Sequence, residues 1–592
     1  MDETLRMACL SNEFRVFDLF PASNSDSESS LQGRTRVLPL PTEERYETLS
    51  YVWGHDPPEV KIEVNRREIA ITPTLAAALR RLQLPDRPRT LWIDQLCIAQ
   101  DDDAEKATQV PLMGQIYSST ARCLIWMGDI RADIAMTDAA NAFDLLTYIA
   151  DEADETQSKP VEVPSCLASE KAVEAAMEAL ESILIGQNPW WERIWTLQEV
   201  ILPSKALMLW GPLSIDWAVL AAGQSVPSLI WDYHSRTLNK LVTQVIGLQF
   251  ARRKTESPID VAFRWGFRKA THPLDKVYGF LGLFPPGTLK RAGKPDYDLP
   301  VATVYTMFTV DMIEYEKDLQ PIALWSANHF TQSTPNMPSW AFDMSNPARG
   351  FDDLAVRMTF PGSDNIPWFL KFTYPAYNAA GGSDIDWDHF SFDKESGRLK
   401  LTGQLLGDMC MVGAPLESDD PGTKDVSDRG VIERIKDWRQ KIEHVYHDKQ
   451  WPDGSGGLIS WLNSFWRGLI GNLAGTELSP ERYANAEDIA AVQRFVEAGQ
   501  RAPICPWIFA TMTYRTVALT ESGRVLFCPR HSLVGDQIWL LHGGRVPFIL
   551  RPLADVREGE RAFRFIGPAY VDGFMHGEAY CVEIRKRSIS LL

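Results

Sequence analysis

One short segment carries a carboxylate, an indole and a guanidinium at spacings that suit chemistry on a sugar: Glu192-Arg193-Ile194-Trp195-Thr196-Leu197-Gln198-Glu199. Because residues four apart lie on one face of a helix, Trp195 and Glu199 are predicted neighbours. A carboxylate beside an indole can engage a ribose hydroxyl or stabilise the oxocarbenium-like cation formed when a base leaves. Glu199 is therefore a candidate catalytic residue. An alternative stays open, in which the helix holds Trp195 in the core and pairs Glu199 with Arg193.

A second carboxylate, Asp94, follows the short apolar run Leu91-Trp92-Ile93. Such a run, ended by a polar residue, is typical of a buried strand whose end opens onto a site. A similar run ends about forty residues earlier, and it contains four more candidates for the same site: Ser50, Tyr51, Trp53 and Gly54. Because the carboxyl ends of parallel strands meet at one edge of a sheet, both runs are predicted to line one cleft. The structural alternatives are that Asp94 caps the next turn and that the hydroxyls are satisfied inside the sheet.

Two neighbouring features have simpler explanations than chemistry. The residues Asp101 to Asp103 suggest a divalent metal, but acidic residues at a helix start are favoured by the free amides there, so we predict a helix cap and no metal site. Cys97 lies between Leu96 and Ile98 and is predicted to pack in the core. P-loop, Gly-x-Gly-x-x-Gly, Gly-x-Ser-x-Gly and His-Glu-x-x-His patterns are absent from the sequence, so nucleotide-driven switching, serine hydrolysis and zincin chemistry lack support.

Strand and helix patterns alternate around the candidate residues. Strands are predicted at Thr90 to Ile93, at Cys123 to Met127 and at Lys205 to Trp210, and Thr72-Pro73 predicts a helix start. Alternating elements usually build a parallel sheet with helices on both faces. We therefore predict an α/β fold for this part of the chain.

At 592 residues the chain is too long for one hydrophobic core. We predict a first domain over residues 1–290, with its motif core at 46–211 and a helical close, and a connecting region over 291–398. Short strand-like runs such as Leu401 to Met411 and Gln537 to Leu541 then predict a mainly β domain over 399–592. A helical insertion is expected within it at about residues 429–505.

Composition excludes some classes of function. The net charge of -18 is opposite to the basic footprint that nucleic-acid binding needs. Eight cysteines are spread along the chain without close pairs, which favours reduced thiols and an intracellular, cytoplasmic protein. No apolar run reaches the length of a transmembrane segment, and the acidic start does not fit a secretory signal.

Three blocks of the sequence together resemble the fungal heterokaryon incompatibility (HET) domain. They are Leu-Ser-Tyr-Val-Trp-Gly at Leu49 to Gly54, Trp-Ile-Asp-x-x-Cys-Ile-x-Gln at Trp92 to Gln100, and Arg-x-Trp-x-x-Gln-Glu at Arg193 to Glu199. Lys106 stands where the family usually has arginine, and Ala99 replaces a common asparagine. The closing segment from Tyr570 to Ala579 also looks like the tail of long members.

HET domains trigger growth arrest or death when unlike hyphae fuse, and they are remotely similar to TIR domains, some of which cleave NAD. The resemblance implies a TIR-like (flavodoxin-like) sheet, non-self recognition, programmed cell death, and self-association or a protein partner. It implies no firm cofactor and makes NAD a candidate substrate. Glu199 and Asp94 are then the candidate catalytic residues, and the candidate nucleotide-binding residues are Ser50, Tyr51, Trp53, Gly54, Arg193 and Trp195.

Two alternatives stay open beside the NAD-cleaving enzyme. One is a non-enzymatic recognition module whose motif residues stabilise the sheet ends and whose output comes from self-association. The other is a small-molecule-modifying enzyme that uses the same pocket.

Overall fold

The computed structural model describes residues 9, 12–22, 31–54, 56–152, 162–184, 186–222, 245, 248, 257–323, 334–345, 377–416, 428–448, 458–476, 479–512, 515–554, 561–581 and 586–592. The chain divides into two compact units, the first within Met1–Leu299 and the second within Pro300–Ala348 and Gly362–Leu592. The motif blocks all belong to the first unit.

A sheet of nine strands forms the centre of the first unit. In chain order the strands are β1 (Glu13–Leu19), β2 (Gln32–Pro39), β3 (Glu47–Ser50), β4 (Val60–Val64), β5 (Arg67–Ile71), β6 (Arg89–Trp92), β7 (Cys123–Trp126), β8 (Ala206–Trp210) and β9 (Leu213–Asp216). Their order across the sheet is β5-β4-β2-β1-β6-β3-β7-β8-β9. The predicted α/β fold and the predicted strands at β6, β7 and β8 are confirmed.

The sheet is mixed, which corrects the prediction of a parallel sheet. Strands β6, β3, β7 and β8 are parallel to one another, whereas β1 pairs antiparallel with both β2 and β6. The hairpins β4-β5 and β8-β9 add further antiparallel pairs. A hairpin needs only a tight turn, so it can extend a parallel core at either edge without a crossover helix.

The four parallel strands have a topological switch point beside β3. Counted along the chain they lie in the order second, first, third, fourth. In open α/β sheets a crevice forms outside the carboxyl ends of the strands where the order reverses, here between β3 and β7. Ser50 and Trp126 are the last residues of those two strands.

Ten helices are described in the first unit: α1 (Pro73–Leu82), α2 (Asp94–Cys97), α3 (Asp103–Gln109), α4 (Met113–Ser119), α5 (Met136–Glu152), α6 (Glu170–Glu181), α7 (Thr196–Ile201), α8 (Trp217–Ala222), α9 (Pro258–Trp265) and α10 (Asp275–Tyr278). Short 3₁₀ turns occur at Val110–Leu112, Ser165–Ala168 and Pro189–Glu192. The Thr72 hydroxyl accepts from the Leu75 amide and caps α1, and the Asp102 carboxylate accepts from the Glu105 amide and caps α3. The capping predictions for Thr72 and for the acidic run are confirmed.

The C-terminal region of the chain, within the second unit, is mainly β, as predicted. Its strands are β10 (Ser391–Asp393), β11 (Arg398–Val412), β12 (Leu473–Thr476), β13 (Ser479–Tyr483), β14 (Arg515–Thr520), β15 (Val525–Pro529), β16 (Gln537–Leu541), β17 (Phe548–Pro552), β18 (Ala562–Pro568), β19 (Tyr570–Val571) and β20 (Arg587–Leu591). Strands β11, β16, β17, β18 and β20 pair in a closed circuit. Strand β11 also pairs with β14, which is followed across the sheet by β15 and β19.

Helices also belong to the second unit. They are α11 (Val301–Glu316), α12 (Asp428–Asp448), α13 (Leu458–Gly468), α14 (Ala486–Ala498) and α15 (Cys505–Met512), with a 3₁₀ turn at Glu578–Cys581. Asn485 caps α14 in a reciprocal capping box with Asp488. None of the helices within the described ranges has the length and apolar character of a bilayer-spanning segment.

Cysteine side chains are distributed over both units. The seven described ones are all free: Cys9, Cys97, Cys123, Cys166, Cys410, Cys505 and Cys528. The side chain of Cys581 lies outside the described part.

Candidate active site

The predicted residues Ser50 and Glu199 are in direct contact at the carboxyl end of β3. The Ser50 hydroxyl donates a hydrogen bond to Glu199 Oε2 and accepts one from Trp190 Nε1 at 2.7 Å. Only 4% of Glu199 remains exposed. Asn188 holds this arrangement to the end of β7, because its Oδ1 accepts from the Trp190 amide and its Nδ2 donates to the Met127 carbonyl at 2.8 Å. The carboxyl group of Glu199 is thus fixed near the switch point of the sheet.

Asp94, at the end of β6, organises a second group of predicted residues. Its Oδ2 accepts from Trp53 Nε1 at 2.8 Å, and its Oδ1 accepts from the Gln95 amide at 2.8 Å. The Tyr51 hydroxyl donates to Gln95 Oε1 at 2.8 Å. The Asp94 carboxylate therefore binds the next backbone amide and also fixes the Trp53 indole, while part of its side chain stays exposed. Gly54 follows Trp53 in an exposed turn with φ of 79°.

Arg193 connects these two groups electrostatically. Its guanidinium lies 5.9 Å from the centre of the Trp53 ring. Burial raises the pKa values of both Asp94 and Glu199, and the positive charge of Arg193 opposes each rise. Arg193 forms no ion pair with either carboxylate in the part of the chain that the structure describes. The predicted alternative of a Glu199–Arg193 ion pair is therefore not observed.

Burial dominates the electrostatics of Glu199. It raises the pKa of the carboxyl group from 4.5 to about 7, with the Arg193 charge opposing the rise and the Asp94 charge adding to it. Burial also raises the pKa of Asp94. A carboxyl group with a pKa near 7 is divided between its two protonation states at neutral pH, which is the property expected of a general acid or base.

The Trp195 indole donates to a carboxylate that was not among the predicted site residues. Its Nε1 donates to Asp275 Oδ2 at 3.3 Å, and the Tyr297 hydroxyl donates to Asp275 Oδ1 at 2.9 Å. The helix predicted through this motif is present only from Trp195 onwards, where the Glu199 amide donates to the Trp195 carbonyl at 3.4 Å. Arg193 has extended backbone angles and separates α7 from the 3₁₀ turn. Glu192 lies on that separate turn, and its carboxylate pairs with Lys269.

Arg268 was not predicted as a site residue. It is completely buried, and its Nη1 donates to Thr196 Oγ1 at 2.7 Å and to the Arg193 carbonyl at 3.3 Å. Burial lowers the pKa of its guanidinium to about 9, and its charge opposes the rise in the pKa of Glu199. Local sequence contains no signal for this contact.

Trp190 was also missed, although a signal for it exists. Asn188-Pro189 is a turn-initiating pair, and such a pair fixes the orientation of the residues that follow it. In the structure, the Trp190 amide donates to the Asn188 side chain, which caps the turn that the pair predicts.

Cys97 packs in the core beside the site. Burial raises the pKa of its thiol to about 12, so it is protonated at neutral pH. The buried Arg15 donates from Nε to the Cys97 carbonyl at 2.9 Å and pairs with Glu105, whose carboxylate also accepts from the Ala99 amide. These contacts anchor the segment after Asp94. Within the described ranges, no cluster of three or more His, Cys, Asp and Glu side chains forms a metal site.

The carboxyl group of Glu199 makes the stability of the first unit depend on pH. Folding favours its protonated form, so its contribution is fully present below about pH 4.5 and is lost as the pH rises through about 7. A pKa change from 4.5 to about 7 corresponds to about 3 kcal/mol. We expect the wild type to lose about this much stability relative to Glu199→Gln over that pH range, as measured by hydrogen exchange of α7 and β3 amides.

Glu192→Gln is the matched control for this prediction, because it removes a carboxyl group that pairs with the exposed Lys269 outside the buried site. A constant stability difference between wild type and Glu199→Gln at all pH values contradicts the expectation.

Comparison with known proteins covers both units. A family profile described as heterokaryon incompatibility protein (HET) matches residues 46–199, and one described as Het-6 beta-barrel domain matches residues 504–590. Heterokaryon incompatibility protein 6, OR allele, of Neurospora crassa is 23% identical over 96% of this chain and 94% of that protein. No solved structure gives a significant match. The segment matched by the first profile includes Ser50, Asp94 and Glu199, and the segment matched by the second includes strands β14 to β19.

Proposed function

Because this chain belongs to the heterokaryon incompatibility (HET) protein family, we propose that it acts in fungal non-self recognition and programmed cell death as a TIR-like NAD glycohydrolase. The observation that carries the proposal is the buried carboxyl group of Glu199 at the carboxyl edge of the parallel strands, bonded to Ser50 and influenced by Asp94 and Arg193. This is the place where an α/β sheet binds ligands.

The order of the parallel strands supports the TIR-like part of the proposal. The order second, first, third, fourth equals the first four positions of the flavodoxin-like order, in which a nucleotide cofactor binds at the corresponding switch point. The remaining strands, β1, β2, β4, β5 and β9, are additions to that core, and each of them makes at least one antiparallel pair.

In the proposed reaction, the bond between ribose C1′ and the nicotinamide nitrogen breaks, and its electron pair leaves with nicotinamide. The ionised Glu199 carboxylate stabilises the oxocarbenium-like cation that remains. A water oxygen then bonds to C1′ and its proton passes to Glu199 or to solvent. The products are nicotinamide and ADP-ribose, and the reaction needs no oxidant or reductant.

The other predicted residues have supporting roles in this proposal. Asp94 and Ser50 orient the ribose or a phosphate, and Trp53 forms the wall beside the base. Trp195 keeps a role as a second wall only through its ring, because its Nε1 is engaged by Asp275.

A second candidate function is a non-enzymatic recognition module that acts by self-association. The observation in its favour is that both oxygens of Asp94, and the Tyr51 hydroxyl, already have partners inside the chain. Hydrogen bonds of this kind stabilise the ends of β3 and β6, which is the role that the recognition module requires of these residues.

One experiment separates the two candidates. Purified full-length protein is incubated with NAD and nicotinamide release is followed by chromatography, while light scattering identifies the oligomeric state. Because TIR-type sites can require assembly, the assay uses the oligomeric fraction. We expect nicotinamide release above the blank. If the oligomeric wild type releases no nicotinamide, the enzyme proposal is overturned and the recognition module becomes the supported function.

A further inference from the structure

Arg193 combines a fixed backbone with an unengaged side chain. Its carbonyl accepts from Thr196 Oγ1 at 2.8 Å and from Arg268 Nη1 at 3.3 Å, and the next amide, that of Ile194, donates to the Lys269 carbonyl at 2.9 Å. In contrast, its Nε is buried and has no acceptor among the described residues. The backbone at Arg193 is therefore fixed, while the Nε of its guanidinium has no hydrogen-bond acceptor among the described residues.

The nearby carboxylates do not neutralise this guanidinium directly. Asp94 accepts from Trp53 and Gln95, and Glu199 accepts from Ser50. The Arg193 side chain instead lies over the Trp53 ring. A buried donor without an acceptor is unfavourable, so an arginine in this condition is suited to an acceptor that arrives from outside.

We propose that Arg193 binds a phosphate group of the substrate, so that the site selects nucleotides over nucleosides. This inference rests on the proposed function in one respect, since NAD supplies a pyrophosphate next to the ribose. The planar guanidinium can donate two parallel hydrogen bonds to a phosphate, which gives both affinity and orientation. A chain of net charge -18 repels anionic ligands from most of its surface, so a local cation in the cleft has a large influence on their binding.

The test is calorimetric binding of ADP, inorganic pyrophosphate and adenosine to the full-length chain. ADP contains the phosphates but no nicotinamide, so binding is measured without turnover. We expect ADP and pyrophosphate to bind about 10- to 100-fold more weakly to Arg193→Gln than to wild type, because charge-assisted hydrogen bonds are lost. Arg193→Lys keeps the positive charge but loses the planar guanidinium that donates two parallel hydrogen bonds. Its affinity for ADP and pyrophosphate should lie between those of the wild type and Arg193→Gln.

Arg131→Gln is the matched control, because it removes the same charge from an arginine already paired with Asp133. Thermal melting of each variant verifies that it is folded. The inference is overturned if pyrophosphate and ADP fail to bind the wild type, or if Arg193→Gln binds them as well as Arg131→Gln does.

The outcome is distinguishable from that of the proposed function. Loss of ADP binding in Arg193→Gln, together with no cleavage of NAD by the wild type, supports the phosphate site and refutes the enzyme. If the wild type cleaves both NAD and nicotinamide riboside, and Arg193→Gln slows the two reactions by the same factor, the enzyme is supported and the phosphate site is refuted.

Discussion

Glu199→Gln should release nicotinamide from NAD about 100- to 1000-fold more slowly than wild type, which is the effect of removing one preorganised electrostatic group from an active site. The substitution keeps the shape of the side chain and an oxygen that can accept from Ser50 and, through it, preserve the Trp190 contact. It removes the negative charge that stabilises the oxocarbenium-like cation. Nicotinamide release under saturating NAD gives kcat directly.

The wild-type rate should also rise with pH through about 7, because the ionised form of Glu199 is the one that stabilises the cation. Glu192→Gln is the control for both measurements, since it removes a carboxylate from the same motif that pairs with Lys269 instead. A Glu199→Gln rate equal to the rates of the wild type and of Glu192→Gln removes Glu199 from the catalytic role.

The second large effect is expected at Gly114, where α4 meets the segment after α10. An added Cβ at Gly114 would lie 2.6 Å from the Cα of Gly282. Gln198, next to Glu199, fills the same space and donates to the Gly279 carbonyl at 2.9 Å. Replacing a glycine in a helix by alanine normally increases the free energy of unfolding by about 0.5–1 kcal/mol. Overpacking decreases it by about 1–3 kcal/mol.

The close backbone contact cannot relax as a flexible side chain can, so we expect Gly114→Ala to destabilise the first unit by about 1–2 kcal/mol. Thermal unfolding measures the change. Gln115→Ala, at an exposed position of the same helix, is the control for helix propensity alone. A Gly114→Ala variant that is more stable than wild type contradicts the expectation and indicates that the two backbones can separate.

The parts of the site that could be predicted are those fixed by local pattern and by sheet geometry. Ser50 and Asp94 end short apolar runs, and the parallel pairing of β3 with β6 and β7 brings such ends to one edge. The Thr72 cap was predictable for a similar reason, because it depends on residues three apart.

The parts that could not be predicted depend on long-range packing. Arg268 reaches Thr196 from a segment over seventy residues away, and no spacing rule connects them. The extended conformation of Arg193 interrupts a motif whose side chains have helical spacing, because it bridges to Lys269 instead of continuing the turn. The antiparallel pairing of β1 with β6 likewise depends on which strand edges remain free after the others pair.

The closed circuit of the second unit has a consequence for how the chain folds during synthesis. Strand β20 pairs with β11, about 190 residues earlier, and also with β18, and the Leu592 carbonyl accepts from the Ser339 amide. Until residues 587–591 leave the ribosome, β11 and β18 each present an open strand edge, which is a template for pairing with other chains. The nascent chain therefore keeps these open edges until β20 is synthesised. A ribosome that stalls before Arg587 produces a chain prone to aggregate.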